Sequence, residues 1–124
     1  MPSVLIVDDE DDFRYIVRWM LEEASGGWHV AGEATSVEEA VARWRELRPD
    51  VIIIDHLLNG PSGLQAVEQI LAEDRSQPIV LLTMIGDEEI HHAASALGVA
   101  ASVSKANIHE LPAALRDVMG KARA

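Results

Sequence analysis

The chain has 124 residues, enough for one domain with a substantial core and too few for two. It is 48% apolar but only 4% aromatic, so that core is aliphatic, and its formal net charge of −11 argues against a nucleic-acid partner, whose phosphates nothing here would neutralise. Absence of cysteine removes disulfide and thiolate chemistry and fits the cytoplasm; no apolar stretch approaches the roughly 18–20 residues of a membrane span, and no signal-peptide pattern opens the chain.

Ser3–Val7 reads as a first strand. Phe13, Ile16, Val17, Met20 and Leu21 then form one apolar helical stripe, which Gly26-Gly27 ends. His29–Ala34 is a second, more polar strand, expected at the sheet edge. Ser36 and Glu39 make a capping box before the stripe Val37, Ala40, Val41, Trp44 and Leu47, and Pro49 closes that helix. Val51–Ile54 is the most apolar strand and is expected at the centre. After the loop Gly60-Pro61-Ser62-Gly63, Leu64, Val67, Ile70 and Leu71 give a third helix. Ile79–Leu82 is the fourth strand. Asp87–Leu97 is a helix with acids in its first turn, stopped by Gly98. Ala101–Val103 is a short fifth strand. Leu111, Leu115, Val118 and Met119 face the core from a last helix that tolerates Pro112 in its first turn. Gly120–Ala124 reads as a frayed end or the stub of a linker.

Five β-α units without repeats predict one parallel sheet, with right-handed crossovers putting helices on both faces. Ligands of such sheets bind at the carboxyl ends of the strands. Here those ends carry a chemical set: Asp8 and Asp9 after the first strand, Asp55 after the third, Thr83 after the fourth and Lys105 after the fifth. Taken singly each has an ordinary reading. Asp11 and Asp12 are helix-capping acids, Asp55 could bond a loop amide, Thr83 could be a plain strand residue and Lys105 a surface lysine. Jointly they describe a site for a divalent metal and a phosphoryl group. Carboxylates gathered there repel one another unless a cation is present, and magnesium takes oxygen ligands. A carboxylate can attack phosphorus to give an acyl phosphate, while the metal, Lys105 and the Thr83 hydroxyl stabilise the phosphoryl oxygens. His29, His56, His91, His92 and His109 show no metal-ligand spacing and read as surface residues, with His56 beside the pocket. Trp19, Trp28 and Trp44 read as packing.

With these residues in view, the chain resembles the receiver domain of two-component response regulators. The resemblance runs through VLIVDDEDDFR, GEATSVEEAV, LRPDVIIID, Gly63, IVLLT and the stretch from LGVAASVSK to the last helix, so residues 1–124 are expected to be one receiver domain. The GEA segment and the Lys-Ala-Asn ending look most like receivers of the LuxR/NarL/FixJ type, attached to helix-turn-helix output domains. The resemblance implies a flavodoxin-like (βα)5 doubly wound α/β fold with strand order 2-1-3-4-5. It implies Asp55 as phosphoacceptor, and Asp8, Asp9, Asp55 and the main-chain carbonyl of Leu57 as ligands of Mg2+ or Mn2+. Thr83 would be the switch hydroxyl and Lys105 the phosphate-contacting amine. It implies a sensor histidine kinase or histidine phosphotransfer protein as partner, and an output surface, with a possible homodimer, on the fourth helix, fifth strand and last helix. No enzymatic activity is expected beyond self-phosphorylation and slow autodephosphorylation.

Several positions depart from the family pattern. Leu58-Asn59 replaces the usual Met-Pro, which predicts a looser loop. Met84 replaces a small residue and is expected to crowd the phosphoryl site. Ser102 stands at the switch-aromatic position, so a Thr83–aromatic rearrangement cannot operate. Ala106 follows Lys105 in place of proline, and a non-proline cis bond would cost about 2.5–4 kcal/mol. Leu57 and Ile85 flank the path of a hydrolytic water in this fold. Both are apolar, which predicts a long-lived acyl phosphate. Two other readings compete: a pseudo-receiver acting only as a protein-interaction module, and a haloacid-dehalogenase-type phosphohydrolase, which Asp8 and Glu10 mimic loosely.

Overall fold

The five apolar runs become five parallel strands. The computed structural model of the chain describes residues 1–58, 60–84 and 86–123. The strands are β1 (Ser3–Val7), β2 (His29–Ala34), β3 (Val51–Asp55), β4 (Ile79–Thr83) and β5 (Ala101–Ser104), hydrogen-bonded in the order β2-β1-β3-β4-β5. The more polar second strand lies at the edge and the most apolar one at the centre, as the sequence predicts, and the flavodoxin-like order is the one expected. Every residue of β3 and β4 is buried, because helices cover both faces of the sheet.

Side chains alternate between those faces. Leu5, Val7, Ile52, Ile54, Ile79 and Leu81 point to one layer, formed by α2 (Val37–Leu47), α3 (Gly63–Glu73) and α4 (Glu88–Leu97). Val4, Ile6, Ile53, Val80, Leu82 and Val103 point to the other, formed by α1 (Asp11–Trp19) and α5 (Leu111–Arg123). Burying each such Leu or Ile contributes roughly 1.5–3 kcal/mol.

Local chemistry sets the helix ends. The Ser36 hydroxyl accepts from Glu39 N (3.1 Å), and the Glu39 carboxylate accepts from Thr35 N (2.8 Å), closing the predicted box one residue early. The Ser62 hydroxyl accepts from Leu64 N at 3.1 Å and starts α3. Gly98, at φ 106°, ends α4 in the left-handed conformation that glycine tolerates.

The structure departs from the sequence reading first along the helices. Ile16 and Trp19 are about half exposed, at 46% and 52%. Val17 and Leu21, flanked by Phe13 and Met20, already cover their strip of sheet, so Ile16 and Trp19 fall on the outer shoulder of the helix. Trp28 and Trp44 are buried as expected. Beyond α1 the chain widens into a π-helical turn, Met20–Ala24, closed by Ser25 N donating to Met20 O at 2.8 Å. A 3-10 segment, Lys105–Glu110, begins where the Ser104 hydroxyl accepts from Ala106 N at 3.2 Å. Finally, α5 does not fray at Gly120 but continues to Arg123; Met119 anchors it in the core, and Lys121 pairs with Asp117 at 3.2 Å. Ala124 lies outside the described residues.

Candidate functional site

The carboxyl ends of β1, β3, β4 and β5 bring Asp8, Asp55, Thr83 and Lys105 to one edge of the sheet. Asp8 and Thr83 are fully buried and Asp55 is 4% exposed. The Lys105 ammonium lies 2.8 Å from Asp8 Oδ2, 2.8 Å from Asp55 Oδ2 and 3.4 Å from Glu10 Oε1. It also sits 4.2 Å above the centre of the Phe13 ring, a favourable place for a cation. Asp8 Oδ1 accepts from Glu10 N at 2.9 Å, and Asp55 Oδ1 accepts from Leu57 N at 3.1 Å. The side chain of Arg14 donates to the main-chain carbonyl of Asp8 at 2.6 Å and to Glu33 Oε1 at 2.9 Å, which holds the strand end in place.

Asp8, Asp9, Glu10 and Asp55 each offer an oxygen within 4.8 Å of the others. Desolvation by burial pushes the Asp8 carboxyl above its ordinary value, against the opposing pull of Lys105 and Glu10 N. Burial also works against the Lys105 charge, but hydrogen bonding and attraction from Asp55 and Asp8 outweigh it and hold the ammonium above the usual lysine range. One cation thus serves two buried carboxylates, with Asp9 and Glu10 beside them. Asp8 Oδ2 in particular is buried and is met by no donor among the described residues besides the Lys105 ammonium at 2.8 Å. An all-oxygen donor set short of positive charge fits a small hard divalent cation.

The edge opens into a cavity of about 410 Å³ lined by Asp9, Glu10, Asp55, Leu57, Leu58, Gly60, Met84 and Lys105. Leu57 is 55% exposed and Met84 50% exposed, both on its rim. Across Asn59 the loop after Asp55 is anchored at Leu57 and Leu58. Leu58 is buried, its N donates to Pro61 O at 3.2 Å, and Leu57 bridges to Ser62 in antiparallel fashion. Gly63 closes the loop against β3. Its N donates to His56 O at 2.8 Å, and a Cβ there would lie 2.1 Å from the Asp55 carbonyl oxygen. Ser102, half-buried, faces Leu81 in the sheet register. No peptide bond among the described residues is cis, that of Lys105-Ala106 included. Asn59 and Ile85 lie outside the described residues.

Two histidines read as surface residues belong to the site's surroundings. His56 is buried and its Nε2 lies 3.0 Å from Asp87 Oδ2, which also accepts from Met84 N at 3.0 Å. His91 is half-buried, with Nε2 3.3 Å from the Thr83 hydroxyl. The available signals were position rather than spacing: His56 directly follows a wholly buried strand, and His91 comes one turn after the acid that starts α4.

Fold and site together define a receiver domain. Residues 4–116 match the response regulator receiver domain model, and the chain belongs to that family. It is 34% identical over 85 residues to the chemotaxis protein CheY of Thermotoga maritima, covering 68% of this chain and 69% of that one. It is 33% identical over 127 residues to the response regulator GacA of Pseudomonas aeruginosa, covering 99% of this chain but only 58% of GacA. Among solved structures, a LuxR-family two-component response regulator from Aurantimonas superposes with a TM-score of 0.90 at 28% identity, over 98% of this chain and 86% of that one. The response regulator TrrA of Thermotoga maritima, solved with Mg(2+)-BeF, superposes with a TM-score of 0.82 at 26% identity, over 95% and 99% of the two chains. The family assignment sets aside the phosphohydrolase reading. No helix among the described residues is long and apolar enough to cross a membrane.

Proposed function

We propose that this chain is a phosphoacceptor receiver in which Asp55 takes a phosphoryl group from a phosphohistidine of a sensor histidine kinase or a phosphotransfer protein. The observation that carries the reading is the Lys105 ammonium held 2.8 Å from both Asp8 and Asp55 at the mouth of an open cavity. Asp8, Asp9, Asp55 and the main-chain carbonyl of Leu57 would hold Mg2+ or Mn2+. The bound metal supplies charge neutralisation to the phosphoryl oxygens.

The chain's own residues do the remainder. An Asp55 carboxylate oxygen forms the new bond to phosphorus as the phosphorus–nitrogen bond of the donor breaks, its electron pair staying on the imidazole, which then takes up a proton. The Leu57 N–H, bonded to Asp55 Oδ1, steadies the nucleophile. Lys105 passes from carboxylate to phosphoryl oxygen, and the Thr83 hydroxyl donates to another. Leu57, apolar and exposed at the cavity rim, gives a hydrolytic water nothing to bond, and Ile85 acts with it to keep the acyl phosphate long-lived. The domain spans residues 1–124, works in the cytoplasm, turns over no substrate, and reports through the face of α4, β5 and α5, by homodimer formation, to a transcriptional output.

Intact mass after incubation with acetyl phosphate tests this, with and without magnesium, on wild type and Asp55→Asn. A single phosphoryl adduct requiring both magnesium and Asp55 is expected. Absence of an adduct from acetyl phosphate and from phosphohistidine donors alike would leave a protein-interaction module in its place.

A further inference from the structure

Thr83 has one side-chain hydrogen-bond partner among the described residues, and it is not at the acidic edge. Its hydroxyl lies 3.3 Å from His91 Nε2. The contact follows from helix phase. Asp87 stands at the N-cap of α4, and positions 87, 91 and 94 recur at the i, i+4, i+7 spacing of one helix face. Ala94 on that face is fully buried, so the face is turned to the sheet, and His91 must meet the carboxyl end of β4. The first turn is tied down independently, through Asp87 to His56 and to Met84 N. The fifth strand offers no large ring to follow the hydroxyl, since residue 102 is serine.

We propose that His91 is the positioning residue for Thr83: its Nε2 accepts a hydrogen bond from the Thr83 hydroxyl in the resting state and loses it when the hydroxyl turns to the arriving phosphoryl group. The inference rests on the phosphoacceptor reading above. A threonine hydroxyl has a single proton to donate, so it cannot serve His91 and a phosphoryl oxygen together. Filling the phosphoryl site therefore costs the α4–β4 bond, which makes the position of α4 beyond its anchored first turn sensitive to the state of Asp55. His91 thereby couples the site to the output face without a fifth-strand aromatic.

Beryllofluoride with magnesium, the phosphoryl mimic, measures this by titration on wild type, His91→Ala, Thr83→Val and the double variant. Removing a competitor worth one ordinary hydrogen bond should tighten beryllofluoride binding about 2- to 10-fold in His91→Ala. The same change should have no effect in the Thr83→Val background. A variant that disturbed α4 without acting through the Thr83 hydroxyl would change binding equally in the Thr83→Val background. Long-range proton–nitrogen spectra should show His91 Nε2 unprotonated before titration and its ring resonances moving with saturation. Unchanged or weaker binding in His91→Ala, a gain that persists in Thr83→Val, or a silent His91 ring while resonances around Asp55 respond would overturn the inference and leave the phosphoacceptor reading standing. No binding by wild type, with no phosphoryl adduct from any donor, would overturn both.

Discussion

Gly63→Ala asks whether the loop after Asp55 is as tightly packed as the distances imply. The added carbon would stand 2.1 Å from the Asp55 carbonyl oxygen, 3.0 Å from the carbonyl carbon and 3.2 Å from His56 Cα. All three are backbone atoms at the end of a central strand, so no side chain can swing aside. Relief requires α3 to back away, which breaks the 2.8 Å bond from Gly63 N to His56 O. Overpacking of this kind costs about 1–3 kcal/mol, and a buried carbonyl left without its donor about 1–3 kcal/mol more. A domain of this size has an unfolding entropy on the order of 260 cal/mol/K, so each kcal/mol moves Tm by roughly 4 °C. The expected fall is therefore roughly 8–24 °C by scanning calorimetry, with a slower Asp55 adduct in the mass assay because the nucleophile's own backbone has moved. Gly120→Ala is the control. It adds the same methyl inside α5, where a Cβ meets nothing within 4 Å, and should raise Tm by roughly 3–4 °C, since glycine costs a helix about 0.8–1.0 kcal/mol against alanine. Two Gly→Ala variants melting within about 2 °C of each other would refute the packing argument.

Three further outcomes are expected. An acid whose folded pKa is raised contributes stability while protonated and loses it as pH rises through that value. In EDTA, Asp8→Asn should therefore gain stability relative to wild type as pH climbs above the ordinary 3.8 and through the higher folded value, and parallel Tm-against-pH curves would exclude this. Gln77→Leu removes the acceptor 3.0 Å from the buried Trp44 Nε1; it should cost about 1–3 kcal/mol in urea titrations at unchanged m, and a midpoint equal to wild type would contradict it. Leu57→Asn combined with Ile85→Gln should speed loss of the acyl phosphate, and an unchanged decay rate would sink the water-exclusion argument.

The strands and the chemical set could be read directly because each rests on a local rule. An aliphatic run such as Val51–Ile54 between helical patterns has few alternatives, and a parallel sheet sends every strand end to the same edge, so Asp8, Asp55, Thr83 and Lys105 had to converge. His56 and His91 could not be read that way. Histidine carries no burial preference sharp enough to separate it from the surface, and the inward aim of His91 depends on α4 starting at Glu88, which the loop before it decides. The exposure of Trp19 follows from how much sheet α1 must cover, a quantity no single stripe contains. The pairing between Leu57 and Ser62 joins residues whose separation gives no periodic signal.

The reach of Lys105 has a consequence for the order in which the molecule assembles. Its ammonium meets a carboxylate 95 positions earlier in the chain, and its strand is separated from β1 by β3 and β4. A chain emerging from the ribosome presents its acids first and their counter-ion last. Through the growth of β1 to β4, Asp8 and Asp55 must stay hydrated, and β1 and β3 are held only by their aliphatic registers. Closing that long loop is what finally dries the carboxylates. The acidic edge therefore gains its cation only once β5 has been made, and substitutions at Lys105 should change the rate of unfolding far more than the rate of folding.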